Sequence, residues 1–270
     1  MTSPRTIPGL DAAIVADMDA ALDGIVREHG VRILHAIESG SRAWGFPSPD
    51  SDYDGRFIYV RPRADYLSLW PRRDVIELPI AGDLDVNGWD LAKALRLLLK
   101  GNAVVIEWLT SPIVYRSHPD VRLALLGFAE QHVSRDLVAR HYLHVGLRQQ
   151  RLYLGNPDAV PLKKLFYALR PAVMLRWLRL HPATPVAPMH FPSALREADA
   201  PVALIDVVSK LLSAKAITRE LGMAPLPKAI SRFIDEEFEI AQANEKSSGD
   251  IVPNEAVIAD ANRLFQDIIG

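Results

Sequence analysis

The sequence contains no cysteine among its 270 residues. This excludes disulfide bonds, thiolate nucleophiles and cysteine-ligated zinc sites. It also contains no run of the roughly 18 apolar residues that a membrane-spanning helix needs. The N-terminal stretch MTSPRTIPGL lacks the charged and then apolar layout of a secretory signal peptide. Together these absences predict a cytoplasmic protein with no membrane partner.

The composition is that of an ordinary globular protein, with 49% apolar and 24% charged residues. A chain of this length is long enough for two domains with separate cores. The small net charge of -2 conceals an uneven distribution, because residues 116–180 hold 11 Lys and Arg against 4 Asp and Glu. Such a basic segment suits a polyanionic substrate, although it could equally be a solvated face or a partner for acidic helices.

Two carboxylates at the start of a strand are the first chemical signal. Asp52, Asp54 and Arg56 are spaced two residues apart, so an extended chain projects their side chains from one face. Two carboxylates on one face raise each other's pKa unless a cation lies between them. Since Mg²⁺ prefers carboxylate oxygens and shares its remaining positions with water and phosphates, the pattern predicts a divalent metal site.

A turn before this strand is the second signal. Gly40 and Ser41 follow an apolar strand that begins at Val31. A glycine lets backbone N–H groups approach a ligand closely, and such groups bind phosphate well. The turn therefore predicts a phosphate-binding element next to the metal site.

The spacing of these two signals resembles a known signature. Gly40-Ser41, ten intervening residues and then Asp52-Tyr53-Asp54 resemble the DNA polymerase beta-like nucleotidyltransferase superfamily. Further segments resemble the predicted nucleotidyltransferases of the RNA repair pathway polymerase-beta family. They are SGSRAWG (39–45), SDYDGRFIYV (51–60), DVNGWDL (85–91), EWLTSPIVY (107–115) and KKLFYALRP (163–171).

The resemblance implies an α+β chain. We expect residues 1–116 to form a nucleotidyltransferase catalytic domain, in which helices flank a short mixed β-sheet. Residues 117–270 would form an all-helical substrate-binding domain that closes the cleft. The implied reaction transfers a nucleoside monophosphate from a nucleoside triphosphate to an acceptor hydroxyl, such as an RNA end. Transfer to a small molecule or a protein hydroxyl remains an alternative, and so does a catalytically silent nucleotide-binding protein.

The resemblance also implies roles for single residues. Two Mg²⁺ ions, with Mn²⁺ as the alternative, would be held by the catalytic residues Asp52, Asp54 and Asp85. The expected nucleotide-binding residues are Gly40, Ser41, Arg42, Arg56, Lys163, Tyr167 and Arg170.

The third carboxylate has two candidates. Asp85 follows a hairpin turn at residues 81–83 and would project from a strand beside the Asp-x-Asp strand. Its rival Asp90 precedes an apolar helical run that starts at Leu91, so it is also explained as the N-cap of that helix.

The segment from residue 161 to residue 180 is helical in pattern and basic. Lys163, Tyr167 and Arg170 lie at i, i+4 and i+7, which places them on one helix face. Pro171 predicts a kink or a new helix start at this point. The face would either meet the triphosphate, as the resemblance implies, or remain solvated or pair with the acidic C-terminal helix. Glu107, on another helix, is interpreted as structural.

Overall fold

A computed structural model describes residues 6–219, 221–247 and 252–270. Residues 1–5, which are part of the segment used for the signal-peptide argument, lie outside the described residues. The strands are β1 (Arg32–Glu38), β2 (Tyr53–Val60), β3 (Val75–Glu77), β4 (Leu84–Asp90), β5 (Val114–Ser117), β6 (Val160–Pro161) and β7 (Met223–Ala224). The helices are α1 (Ala12–His29), α2 (Gly40–Ala43), α3 (Arg63–Tyr66), α4 (Leu91–Leu99), α5 (Ala103–Thr110), α6 (Pro119–His132), α7 (Arg135–Tyr153), α8 (Leu162–Leu180), α9 (Phe191–Glu197), α10 (Val202–Ile217), α11 (Lys228–Ser247) and α12 (Glu255–Ile269).

Strands β1 to β5 form one mixed sheet in the order β3-β4-β2-β1-β5. The central pair, β2 and β4, is parallel, while the other pairs are antiparallel. The parallel register sets Asp54 opposite Asp85. Both strands therefore begin at the same end of the sheet, and the predicted α+β class with a mixed sheet is confirmed.

Helices cover both faces of the sheet. On one face, Met18 and Leu22 of α1 are buried in a cluster with Phe57 and Tyr59 of β2. The helix begins at an Asp11 cap whose side chain accepts a hydrogen bond from the Ala13 backbone N–H, and it ends at Gly30 with φ +63°. Gly30 ends the helix as the pattern predicts, because glycine adopts the left-handed conformation readily. The other face is covered by α4, α5 and α6.

The second half of the chain is mainly helical. Helix α8 packs along α7, and α11 packs against both. The expectation of an all-helical segment needs one correction, because β6 and β7 pair through two residues each. A two-residue ladder is too short to leave an alternating sequence pattern. Helix α8 also continues through Pro171, so the predicted new helix start does not occur there, while the alternative of a kink stays a prediction.

The predicted boundary after residue 116 falls within β5, which spans Val114–Ser117. One cluster of buried side chains runs from Leu34 and Ile58 of the sheet to Phe166 and Leu169 of α8. The division into two domains thus stays a prediction, and buried side chains from both sides of the predicted boundary belong to one core. None of the helices in the described part of the chain is long and apolar enough to cross a membrane.

Candidate active site

The carboxylates of Asp54 and Asp85 both bind one cation, the guanidinium of Arg56. The side chain of Arg56 lies between them, and one of its terminal nitrogens donates to Asp54 Oδ1 at 2.8 Å and to Asp85 Oδ2 at 2.7 Å. The parallel register of β2 and β4 produces this meeting, because it aligns the two aspartates across neighbouring strands. The cation that the sequence pattern requires between the carboxylates is therefore supplied here by the protein itself.

The electrostatics of Asp54 reflect this crowding. Its pKa is raised, first by burial and further by the negative charges of Asp85 and Asp52, while Arg56 opposes the shift. Asp52 precedes β2, is exposed and lines the same cleft as Asp54. Within the described ranges, no group of three or more His, Cys, Asp or Glu side chains is close enough to hold a metal ion. The oxygen donors are nevertheless chemically suited to a hard cation, and the Arg56 guanidinium occupies the point where two of them meet.

The Gly40 turn lies directly against Asp54. The backbone N–H of Ser39 donates to the Asp54 carbonyl at 2.8 Å. Gly40 has φ +58°, and a Cβ atom there would collide with the Asp54 carboxylate. Ser41 donates from its hydroxyl to Ser51 Oγ at 2.9 Å. A glycine is thus required both by the backbone conformation and by the close approach of turn and carboxylate.

Glu38 is a site residue that the sequence analysis did not identify. Its side chain is buried; Oε1 accepts from the Asp54 backbone N–H at 2.9 Å and Oε2 accepts from the Tyr115 hydroxyl at 2.6 Å. Burial raises the pKa of Glu38 to about 7, although these hydrogen bonds oppose the shift. Glu38 therefore fixes the backbone of Asp54 through a hydrogen bond from the Asp54 N–H. The available signal was an acidic residue at the end of an otherwise apolar strand.

A cleft of about 620 Å³ opens in front of Asp54 and the Gly40 turn. One side carries Ser39, Gly40, Ser41, Asp52, Asp54 and Arg56, and the other carries Lys163, Lys164 and Tyr167 of α8 and Lys215 of α10. The structure thus brings the Asp-x-Asp strand, the Gly-Ser turn and the basic helix together around one volume. Lys163 and Tyr167 both line this volume, and their role in nucleotide binding stays a prediction.

Lys163 connects the helical wall to the loop before β2. Its ammonium donates to both carboxylate oxygens of Asp50, at 3.0 and 2.8 Å, and to the Arg219 carbonyl at 2.9 Å. Hydrogen bonds from Lys163 and then from Ser48 lower the pKa of Asp50 to about 2. The ammonium of Lys163 therefore already binds one anionic group, the carboxylate of Asp50.

Lys215 is the second residue that the sequence analysis missed. Only 3% of this residue is exposed, and its ammonium donates to the Phe46 backbone carbonyl. Burial, followed by the positive charge of Lys163, lowers the pKa of Lys215 to about 8. No local motif marks this lysine, because it reaches the cleft only through the packing of α10.

The guanidinium groups of Arg42 and Arg170 both bind other groups of the protein. Arg42 donates to the Ser51 carbonyl at 2.7 Å and the Asp52 carbonyl at 3.2 Å, and its guanidinium stacks 3.8 Å from the Tyr53 ring centroid. It therefore braces the loop that carries Asp52, and its role in nucleotide binding stays a prediction.

Arg170 is buried and does not line the cleft, which corrects the expectation that it faces the triphosphate. It donates to Glu107 Oε1 at 2.6 Å, and that carboxylate also accepts from the Tyr142 hydroxyl. An i+7 position would be exposed on an isolated helix, but here α5 and α7 cover it. The partner is Glu107 and not the acidic C-terminal helix, and Glu107 is structural, as interpreted from the sequence.

The structure separates the two candidates for the third carboxylate. Asp90 is buried at the far end of β4, where it accepts from the Ala92 backbone N–H and from the Tyr66 hydroxyl, both at 2.8 Å. The alternative interpretation of Asp90 as a helix N-cap is thus confirmed. Asp85 is the candidate that lies beside Asp54.

Comparison with known proteins gives two matches. A family model described as RlaP, RNA repair pathway DNA polymerase beta family, matches residues 14–267. The chain is also 40% identical over 218 residues to a protein of Bacillus subtilis (strain 168) named Uncharacterized protein YcgL. That alignment covers 81% of this chain and 83% of the relative. The matched family range includes both walls of the cleft.

Proposed function

Because the chain belongs to the RNA repair pathway DNA polymerase beta family, we propose that it is a nucleotidyltransferase that moves a nucleoside monophosphate from a nucleoside triphosphate to an acceptor hydroxyl. The observation that carries this proposal is the convergence of Asp54 and Asp85 on one cation, directly beside the Gly40 turn. Phosphoryl transfer needs mainly positioning and charge stabilisation, and a cleft with carboxylates on one wall and lysines on the other can provide both.

The carboxylates Asp52, Asp54 and Asp85 would hold Mg²⁺, or alternatively Mn²⁺. The metal would supply Lewis-acid stabilisation of the charge that develops on the phosphoryl oxygens. What supports this assignment is that Asp54 and Asp85 already lie within hydrogen-bonding distance of one Arg56 nitrogen, at 2.8 and 2.7 Å. Arg56 itself lines the cleft, and its guanidinium would pair with phosphate oxygens there if a metal took its place between the two carboxylates.

The opposite wall would bind the triphosphate. Lys163 already binds a carboxylate, that of Asp50, through two oxygens, and a phosphate presents the same kind of acceptor. Lys215 donates to a neutral carbonyl in a buried position. A desolvated ammonium of this kind gains more from an anion than a hydrated one does. The turn at Gly40 and Ser41 would contribute backbone N–H groups to the same phosphates.

An RNA end is the acceptor that we propose, in the cytoplasmic location expected from the sequence. The name of the family points to RNA, and Lys163 and Lys164 of α8 bring positive charge to the wall of the cleft. The open side of the cleft at Asp52, which is exposed, leaves room for a large acceptor.

The proposal is tested by labelling. The wild type is incubated with each α-labelled ribonucleoside triphosphate, Mg²⁺ and separate cellular RNA, protein or metabolite fractions. We expect label in RNA with the wild type and with Asp206→Asn, an exposed aspartate of α10 that serves as the control. Asp54→Asn should give none. Label in the protein or metabolite fraction would show that the acceptor is not RNA. No label in any fraction would refute the proposed nucleotidyltransferase activity.

A further inference from the structure

We propose that Trp44 and Tyr167 form the site that binds the nucleobase of the triphosphate, an inference that rests on the proposed function. Trp44 directly follows α2, the single turn that starts at Gly40. With a rise of 1.5 Å per residue, Trp44 lies about 6 Å from Gly40 along the helix axis. Both aromatic side chains line the same cleft as Asp54. An aromatic surface therefore begins about one helical turn from the carboxylates.

The Trp44 indole is held in place by buried charged groups. Its ring N–H donates to Glu107 Oε2 at 3.3 Å, and the Arg170 guanidinium lies 4.2 Å from its ring centroid. Arg170 and Glu107 in turn form a buried ion pair at 2.6 Å. The indole thus has its polar group satisfied and a cation over its ring, while the residue still lines the cleft. A ring fixed in this way loses little conformational freedom when a ligand stacks on it.

Tyr167 completes an aromatic corner. Its ring meets the Trp44 ring edge to face, with centroids 6.2 Å apart and an interplanar angle of 78°. Lys164 lies 5.0 Å from the Tyr167 ring centroid, so positive charge is adjacent. A planar heterocycle that stacks on one ring of such a corner presents its edge to the other.

The polarity of the cleft matches that of a nucleotide. Its lining combines carboxylates, the Gly40 turn and lysines with the aromatic side chains of Trp44, Tyr167 and Phe46. The volume of about 620 Å³ lies within the range of roughly 300 to 1,000 Å³ typical of small-molecule sites. A triphosphate held by the Gly40 turn and the lysines would therefore have the aromatic corner within reach of its base.

The inference is tested by isothermal titration of the full chain with two ligands, a non-hydrolysable ATP analogue and base-free tripolyphosphate. The variants are Tyr167→Leu, Trp44→Leu and Trp44→Phe, and Trp70→Ala is the control because Trp70 is 81% exposed and outside the cleft. Stacking contributions per base correspond to a loss of about 5-fold to 150-fold. We expect Tyr167→Leu and Trp44→Leu to lose affinity for the analogue in this range and to bind tripolyphosphate as the wild type does. Trp44→Phe and the control should stay near wild type.

The outcomes separate this inference from the proposed function. If the wild type binds both ligands equally well, or if Tyr167→Leu binds the analogue as tightly as the wild type, the nucleobase site is wrong while the transferase proposal stands. Equal losses for both ligands would also overturn it, because the two rings would then act on the phosphates or on the fold. Failure of the wild type to bind either ligand would overturn the proposed function and this inference together. Tyr167→Leu decides the question even if Trp44→Leu does not fold.

Discussion

Replacing Lys215 with methionine should change how the stability of the protein depends on pH. The ammonium of Lys215 is buried, donates to the Phe46 carbonyl and lies near Lys163, so its pKa is lowered from 10.5 to about 8. Methionine is of similar length and carries no charge. The substitution therefore removes the desolvated charge while it keeps most of the packing.

The magnitude follows from the difference in pKa between the folded and unfolded chain. Between pH 8 and 10.5 the unfolded chain binds the Lys215 proton and the folded chain releases it, so this lysine makes folding more favourable as the pH rises. A shift of this size corresponds to about 3 kcal/mol at 1.36 kcal/mol per pKa unit. The contribution is present above pH 10.5 and is lost as the pH falls through about 8. At neutral pH, the lost hydrogen bond to Phe46 offsets about 1 kcal/mol of the gain in the variant.

Urea unfolding of the wild type and Lys215→Met from pH 7 to pH 10 measures this effect. We expect the stability of the wild type relative to the variant to rise by about 2 to 3 kcal/mol over that range. Lys164→Met, on the same cleft wall, serves as the control for alkaline effects on the rest of the chain. Parallel profiles for wild type and Lys215→Met would refute the reasoning. The same variant should bind tripolyphosphate more weakly at pH 7, and unchanged binding would remove Lys215 from the phosphate site.

Three further changes test the surroundings of the site. Asp90→Ala should lower the free energy of unfolding by about 2 to 3 kcal/mol, since the α4 cap and the partner of a buried tyrosine hydroxyl are lost. Asp85→Asn should instead reduce transfer by orders of magnitude at an almost unchanged melting temperature, and the reverse pattern in melting and labelling assays would assign the third carboxylate to Asp90. Arg170→Ala should cost about 3 to 5 kcal/mol because it leaves the Glu107 carboxylate buried without a counter-ion; a wild-type urea midpoint would contradict this. As the pH rises from 4.5 through about 7, the wild type should lose about 3 kcal/mol of unfolding free energy, because the raised pKa of the buried Glu38 carboxyl makes its ionisation costly. Glu38→Gln should not show this loss. Unfolding curves at pH 4.5 and pH 8 measure that difference, and an equal change between the two pH values for both proteins would disprove it.

Local spacing was enough to predict the elements that carry the site. The alternation of Asp52, Asp54 and Arg56 placed the carboxylates at the start of a strand, and the structure contains β2 there. Gly40 was predicted to form a turn next to them, and its positive φ and its contact with Asp54 require a glycine. The end of α1 at Gly30 followed in the same way. The start of β2 and the end of α1 depend on residues within a few positions of one another, so the local sequence contains their physical cause, whereas the contact of Gly40 with Asp54 also needs the pairing of β1 with β2.

Contacts between distant segments were decided only by the tertiary structure. Asp85 reaches Asp54 because β4 pairs with β2 in parallel, and a pairing partner is not encoded in either strand alone. Arg170 lies on the helix face that its spacing predicts, yet α5 and α7 bury this one position of the face, where it pairs with Glu107. Lys215 lines the cleft because of how α10 packs, with α11 as its neighbour. The sequence of a helix determines which residues share a face, whereas burial, and with it the pKa and the partner of each charge, depends on what packs against that face.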